Sequence, residues 1–172
     1  VTGLQKEFAK LGFGTEEILG VTEATLTLAT ATSTELPRAA EVVGNTLRAF
    51  QLDSTQTSRV VDLMTKSFNV SALDMERFST AMSSVAPIAR TAGFSIERTT
   101  AILGTLASNG IDASTAGTAL RNIFLELSKS GMSFEDAMSA INKSTDRNAK
   151  ALELFGKRGA AVASIIASNT GN

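Results

Sequence analysis

The chain has 172 residues, of which 43% are hydrophobic and 19% charged, and its net charge is -1. This composition predicts one globular domain, or two small halves that share a core, and excludes a disordered chain. The chain contains no His and no Cys, which excludes catalysis by imidazole or thiolate, disulfides and sulfur ligands for zinc. The near-zero net charge gives no basic field for binding nucleic acid or anionic lipid.

Helical periodicity begins near the first residue, where Leu4, Phe8 and Leu11 share one helix face. Later helix starts are predicted where a polar residue that can cap free amides precedes an apolar stripe. In chain order these are Thr15, Thr32 with Glu35 as a capping box, Asp53 with Gln56, Ser71 with Asp74, Ser95, Asp112 or Ser114, Ser133 with Asp136, and Ser144 or Thr145.

Glycines and prolines predict where the helices stop. Gly110 is a candidate left-handed C-cap, and helices are expected to end at Gly131 and Gly156. Pro37 suits a first helical turn, whereas Pro87 is expected to kink or end its helix. The glycines and cations of residues 156–159 could cradle a phosphate, but they lack the spacing of a P-loop, so a turn between two helices is the favoured interpretation.

Together these signals predict an all-α fold of about eight or nine short helices, in a compact or elongated bundle, with no strand. The nine Phe residues are spread singly at apolar positions and are expected to form the core. Because the chain opens with Val1 and has no signal peptide, residues 1–172 are expected to be a single helical domain excised from a longer protein.

A pseudo-repeat of the form A-x-x-[VA]-G-x-x-L-R is visible. Its two copies are Ala40, Val43, Gly44, Leu47 and Arg48, and Ala113, Ala116, Gly117, Leu120 and Arg121. One interpretation is a duplicated helical hairpin, with halves 1–92 and 93–172. The other is chance similarity between Ala-rich amphipathic helices.

In each copy the Gly and the Arg lie four residues apart, on one side of a helix. The Gly would let a neighbouring backbone approach, and the Arg could then reach a carboxylate or carbonyl on it. Helix packing is the favoured role over a ligand site. The candidate residues are Gly110, Ala113, Ser114, Ala116, Gly117, Leu120, Arg121, Gly44 and Arg48.

The stretch from Gly93 to Phe124, and above all its core G-I-D-A-S-T-A-G-T-A-L-R-N, resembles the signature region of phage tail tape measure proteins. Further segments are similar to the same family in the expected order: residues 29–32, 78–82 with 85–89, and 154–159. The resemblance runs over nearly the whole chain.

This resemblance implies a virion structural protein of a phage or prophage, which occupies the lumen of the tail tube, determines tail length during assembly in the host cytoplasm, and leaves when DNA is ejected. It implies tail tube subunits, tail assembly chaperones and tail-tip proteins as partners, and self-association of the full-length protein. It carries over no catalytic residue, cofactor, metal, membrane segment or specific nucleic-acid contact.

Two other classes of function remain as alternatives. A cellular helical adaptor unrelated to virions would use the same amphipathic helices to bind a partner. An enzyme limited to Ser/Thr, Lys and carboxylate chemistry would need a cleft that holds an ionisable group with a strongly shifted pKa. The favoured hypothesis is a folded, non-catalytic assembly module.

Overall fold

The computed structural model describes residues 2–170, and within that range every regular element is helical. It contains nine α-helices and one 3-10 turn (Ser54–Gln56), with no strand between residues 2 and 170. The helices are α1 (Thr2–Lys10), α2 (Thr15–Thr32), α3 (Leu36–Ala49), α4 (Thr57–Val70), α5 (Met75–Thr91), α6 (Ile96–Ser108), α7 (Ala113–Ser130), α8 (Phe134–Lys143) and α9 (Arg147–Asn169). The predicted all-α fold of eight or nine helices is confirmed.

The helices form two layers that follow the order of the chain. In one layer α1 packs on α3, α3 on α5, α5 on α7 and α7 on α9. In the other layer α2 packs on α4 and α4 on α6, while α8 packs against α9. Helices α1 and α2, α3 and α4, and α5 and α6 also contact each other, so each of these pairs forms a hairpin. The fourth pair, α7 and α8, is held together mainly through α9 and is called a hairpin here as well. The hairpins stack side by side, as in helical solenoids.

Side-chain caps start most of the helices. A side-chain oxygen accepts a hydrogen bond from a backbone amide two or three residues later at Asp53, Asp74, Ser95, Asp112, Ser133 and Asp146, over 2.8–3.2 Å. The first five were among the predicted caps. A cap needs only residues of its own turn, so it can be recognised in sequence.

Two predicted starts are wrong, and a third is right but has a different cap. Helix α2 does begin at Thr15, whereas its N-cap is Gly14, whose amide donates to Glu17 Oε2 at 2.7 Å. Thr32 is the last residue of α2, where its hydroxyl donates to the Leu28 carbonyl oxygen; Glu35 precedes α3 and makes no side-chain cap. The capping-box spacing there arises by coincidence between the end of one helix and the start of the next.

The start of α9 was also misplaced, because Asp146 caps it and not Ser144 or Thr145. Pro37 does lie in the first turn of α3. Pro87, however, does not end its helix, since α5 continues through it to Thr91.

Glycines with positive φ end or interrupt helices where the sequence predicted them. Gly131 ends α7 with φ of 70°, which costs little because glycine has no Cβ. Gly156 has φ of 62° and ψ of -176°, so it breaks α9 into two segments at an angle. Lys157 and Arg158 already belong to the second segment, so the turn consists of one residue and forms no phosphate-binding loop.

The core runs continuously from Leu4 in α1 to Ala167 in α9. Eight of the nine Phe side chains are buried, and Phe68 is half-buried and packs edge-on against Phe78. The prediction that the Phe residues form the core is therefore confirmed. Burial on this scale is what holds together helices that are rich in Ser and Thr, which are mediocre helix formers by themselves.

Candidate interaction surfaces

The signature residues of α7 divide between a buried packing face and an exposed start. Ala116, Gly117 and Leu120 are buried. A Cβ placed on Gly117 would lie 2.5 Å from the carbonyl oxygen of Ala81 and 2.9 Å from its Cα. The backbones of α5 and α7 therefore touch at this glycine, and α5 and α7 share the most extensive helix contact of the described chain.

The other signature residues of this region lie at its edge. Ala113 is the half-buried first residue of α7, and Ser114 beside it is exposed. Gly110 follows α6 with φ of 77°. Arg121 is exposed and makes no hydrogen bond or ion pair within residues 2–170, so it differs here from the predicted Gly–Arg arrangement.

In the first copy of the pseudo-repeat the arginine reaches a neighbouring carbonyl as expected, but the glycine meets side chains and not a backbone. Gly44 in α3 is buried against the side chains of Leu11 and Phe8. Arg48 Nε donates to the Leu11 carbonyl oxygen at 3.1 Å, and its guanidinium lies 4.2 Å from the centre of the Phe13 ring. Gly44 and Gly117 thus occupy corresponding positions, since each faces the odd-numbered helix that precedes its own.

Three Arg–Glu pairs join successive hairpins, and the sequence interpretation missed all of them. Arg38 in α3 donates to both carboxylate oxygens of Glu76 in α5, at 2.8 and 2.6 Å. The other two pairs are Arg59 with Glu97 and Arg98 with Glu135. The partners are 38, 38 and 37 residues apart, which is the length of one hairpin.

In each pair the Arg is the third residue of its helix, and the Glu is the second residue of the helix two further along. The signal in the sequence was the repeated Glu-Arg after a cap, in Asp74-Met-Glu-Arg and Ser95-Ile-Glu-Arg. Each pair is partly exposed, so it fixes the register of the hairpins more than it adds to stability.

An aromatic cluster lies where α6, α7 and α8 meet. Phe94 stacks on Phe124 with ring centres 3.9 Å apart and meets Phe134 edge-on at 5.4 Å. The guanidinium of Arg98 lies 4.8 Å from the ring centres of both Phe94 and Phe134, while it also binds Glu135. The cluster therefore joins the apolar core to the ion pairs on the surface.

Every resolved pKa shift in the described part of the chain favours the charged form. The hydrogen bond from Arg38 lowers the pKa of Glu76, and hydrogen bonds from Glu76 and Glu41 raise the pKa of Arg38. Burial would raise the pKa of Glu97, but hydrogen bonds from its own amide and from Arg59 outweigh it and lower the pKa. Hydrogen bonds from the backbone amide of Glu135 and from Arg98 likewise lower the pKa of Glu135.

The pKa values of two capping carboxylates are also lowered. The hydroxyl and amide of Thr55 lower the pKa of Asp53, and those of Thr115 lower the pKa of Asp112. A general acid or base near neutral pH would instead need a raised carboxyl or a lowered lysine pKa. These carboxylates are paired or cap helices, which is a structural use of charge.

The lowered carboxyl pKa values predict how stability depends on pH. Because the folded pKa lies below the unfolded one, their contribution is present above about pH 4 and is lost as the pH falls through the folded values. Since the chain lacks His, we expect the free energy of unfolding to change little from about pH 6 to 8. Urea denaturation at several pH values measures this.

The matched variant for this measurement is Glu76→Gln, which keeps the side-chain size but cannot ionise. The fall in stability of this variant below about pH 4 should be shallower than that of the unmodified chain. A free energy of unfolding that rises on acidification would contradict the paired state of these carboxylates.

Outside these contacts, four large apolar side chains are exposed. Leu19 (66%) and Leu26 (41%) lie on α2, Val70 (74%) ends α4, and Leu152 (47%) lies on α9. On α2 the two leucines alternate with Glu16 and Glu23 along one exposed face. These exposed apolar side chains are the candidate interaction sites of residues 2–170.

Neither a metal-binding cluster nor a membrane-spanning helix is present among the described residues. No three His, Cys, Asp or Glu residues among them lie close enough together to hold a metal ion. Within the same range, no helix has the length and apolar character that crossing a bilayer would require.

Comparison with known proteins relates this sequence to a family. The family model described as phage-related minor tail protein matches residues 1–166. The chain belongs to this family. It is 32% identical over 124 residues to the tape measure protein of Pneumococcus phage Dp-1, covering 72% of the chain and 11% of that relative.

A second relative is the probable tape measure protein of Escherichia phage P2, which is 30% identical over 154 residues. That match covers 89% of the chain and 19% of the relative. This minor tail protein chain therefore covers about a tenth of the length of the first relative and about a fifth of the length of the second. No solved structure matches it.

Proposed function

We propose that the chain is a folded, non-catalytic assembly domain of a phage or prophage tail tape measure protein. The family match over residues 1–166 carries this proposal. Two relatives whose names describe tape measure proteins support it. No observation favours a cellular adaptor, the alternative that the sequence left open.

The proposed partners are the tail tube, tail assembly chaperone and tail-tip proteins, together with other copies of the full-length protein. The proposed location is the lumen of the virion tail tube, after assembly in the host cytoplasm. The exposed leucines of α2 and α9 support contacts of this kind, because exposed apolar side chains rimmed by charge are typical of docking surfaces.

The same proposal treats residues 1–172 as one helical domain, with repeat halves 1–92 and 93–172, cut from a longer protein. The continuous core supports a single domain. The Arg–Glu pairs support a repeat shorter than those halves, because they recur every 37 or 38 residues, once for each hairpin.

Within a tape measure protein this domain would serve assembly and not measurement. The chain as one straight helix would reach roughly 260 Å at about 1.5 Å per residue. The observed helices are instead 9–23 residues long and fold back on each other. The measuring length is therefore proposed to lie in other segments.

The test deletes the codons for residues 2–170, in frame, from a phage or prophage that carries this gene. We expect few or no tails, because a docking domain has been lost. Any tails that form should have normal length, since no measuring segment was removed. Negative-stain electron microscopy gives both the number and the length of the tails.

Two results would contradict the proposal in different ways. Tails in normal number and of normal length would show that the domain has no role in assembly. Tails shortened by roughly 260 Å would show that these residues measure length as an extended helix. As a control, the substitution Val70→Ser, at an exposed side chain outside α2 and α9, should leave both the number and the length of the tails unchanged.

A further inference from the structure

Even-numbered helices meet the preceding hairpin through the same helix positions. Glu97, the second residue of α6, accepts a hydrogen bond from Arg59 of α4. Thr100, the fifth residue, is fully buried. A Cβ on Gly104, the ninth residue, would lie 3.2 Å from the hydroxyl of Ser71, which follows α4. The second, fifth and ninth positions therefore form the stacking face.

Helix α4 packs on α2. Its fifth residue, Val61, is buried. Its ninth and twelfth residues, Thr65 and Phe68, line a cleft together with Ala31 and Thr32 at the end of α2. The same face thus recurs in two successive hairpins, as expected when stacked repeats share one geometry.

In α2 the same positions are Glu16, Leu19, Glu23 and Leu26, here called the α2 stripe. All four are exposed, and within residues 2–170 neither glutamate makes an ion pair. The leucines are 66% and 41% exposed, whereas Thr100 at the equivalent position in α6 is 0% exposed. The α2 stripe is a stacking face that no described helix covers.

The interior of the stack shows what such a face binds. Glu97 and Glu135 are the second residues of α6 and α8. Each binds an arginine in the first turn of the preceding even-numbered helix. The α2 stripe should therefore bind a helix that offers exposed cations to its glutamates.

Helix α9 offers exposed cations at the other end of the stack. Arg147 lies in its first turn, and Lys157 and Arg158 begin the segment after Gly156. Leu152 is 47% exposed but faces a different side of the helix from Arg147. Arg147, Lys157 and Arg158 are exposed and make no ion pair within residues 2–170.

The charges of the two end helices are also opposite. Helix α2 has three glutamates and no basic residue, whereas α9 has four basic residues and one acid. Contact between two α2 helices would place acids against acids, which is unfavourable. Charge complementarity therefore favours α9 of another molecule.

We propose that the α2 stripe of one copy binds α9 of a second copy, head to tail. This inference deepens the self-association proposed above and rests on it. Because each copy offers one α2 stripe and one α9, the contact is heterologous and can repeat into a chain of copies. Exposed ion pairs form part of it, so the association should weaken as salt is raised.

Sedimentation of the purified chain tests the proposal, using two charge-reversed variants. The first is Glu16→Lys with Glu23→Lys, and the second is Arg147→Glu with Lys157→Glu. Each variant alone should associate at least about tenfold more weakly than the unmodified chain, since like charges then face each other. An equimolar mixture of the two should regain association, because opposite charges meet again at both kinds of contact.

The matched control is Val70→Ser, which removes the most exposed apolar side chain, outside both end helices. It should associate like the unmodified chain, and circular dichroism should show that all variants remain folded. The proposal is overturned if the unmodified chain stays monomeric at millimolar concentration, stops at a dimer, or loses association through Val70→Ser. It is also overturned if the mixture of variants fails to associate.

The purified chain separates this inference from the proposed function. Loss of tails after deletion of residues 2–170, together with a monomeric purified chain, would retain the assembly role and reject the head-to-tail contact. Association that follows the charge reversals, together with normal tails after the deletion, would retain the contact and reject the assembly role.

Discussion

Replacing Phe124 with alanine is expected to lower the free energy of unfolding by about 3–5 kcal/mol. Phe124 is fully buried in α7, and its ring stacks on Phe94. Truncation removes the buried ring and leaves a cavity beside Phe94 and the residues it contacts. Since small domains are stable by only about 5–15 kcal/mol in total, this loss is a large share.

Urea denaturation followed by circular dichroism measures this effect. The matched control is Val70→Ala, at a side chain that is 74% exposed, for which a change within about 0.5 kcal/mol is expected. A loss below about 1 kcal/mol for Phe124→Ala would contradict a close-packed cluster at this position. The same variant can be tested for tail assembly, because it lowers the stability of the helix stack without changing any exposed side chain.

Substitution of alanine for glycine should have opposite effects at Gly117 and Gly20, although both lie inside helices. At Gly117 the new methyl group would meet the backbone of Ala81 at 2.5 and 2.9 Å. A backbone cannot rotate aside as a side chain can, so α5 and α7 must move apart. Overpacking of this kind costs about 1–3 kcal/mol, which exceeds the gain of about 1 kcal/mol in helix propensity.

At Gly20 no atom lies within 4 Å of the added methyl group. Gly20→Ala should therefore raise the free energy of unfolding by about 0.5–1 kcal/mol, because alanine loses less backbone entropy in a helix. Thermal and urea unfolding of the two variants under the same conditions compare them directly. Stabilisation by Gly117→Ala would show that α5 and α7 do not touch at this residue.

The sequence predicted features that depend on a few neighbouring residues. The caps at Asp74, Ser95 and Asp112 and the stop at Gly131 were recognisable, because a cap or a left-handed glycine acts within one helical turn. The all-α class followed from the same local signals. The errors were also local. At Thr32, the last residues of α2 have the same sequence spacing as a capping box.

The candidate surfaces could be predicted only in part. The pseudo-repeat drew attention to Gly44 and Gly117, but it could not show which neighbour each glycine meets. The α2 stripe was hidden, because its leucines follow the same spacing as buried ones elsewhere. Their exposure became visible only when the helices before and after α2 were placed.

The sequence by itself therefore determined where helices begin and end and which faces are apolar, since hydrogen bonding and periodicity act over three or four residues. Only the tertiary structure decided which helices are neighbours, because contacts between Arg38 and Glu76 or between Gly117 and Ala81 join residues more than thirty positions apart. The stacking of hairpins makes one glycine a backbone contact and leaves another in solvent. It also leaves the α2 stripe uncovered at the end of the stack.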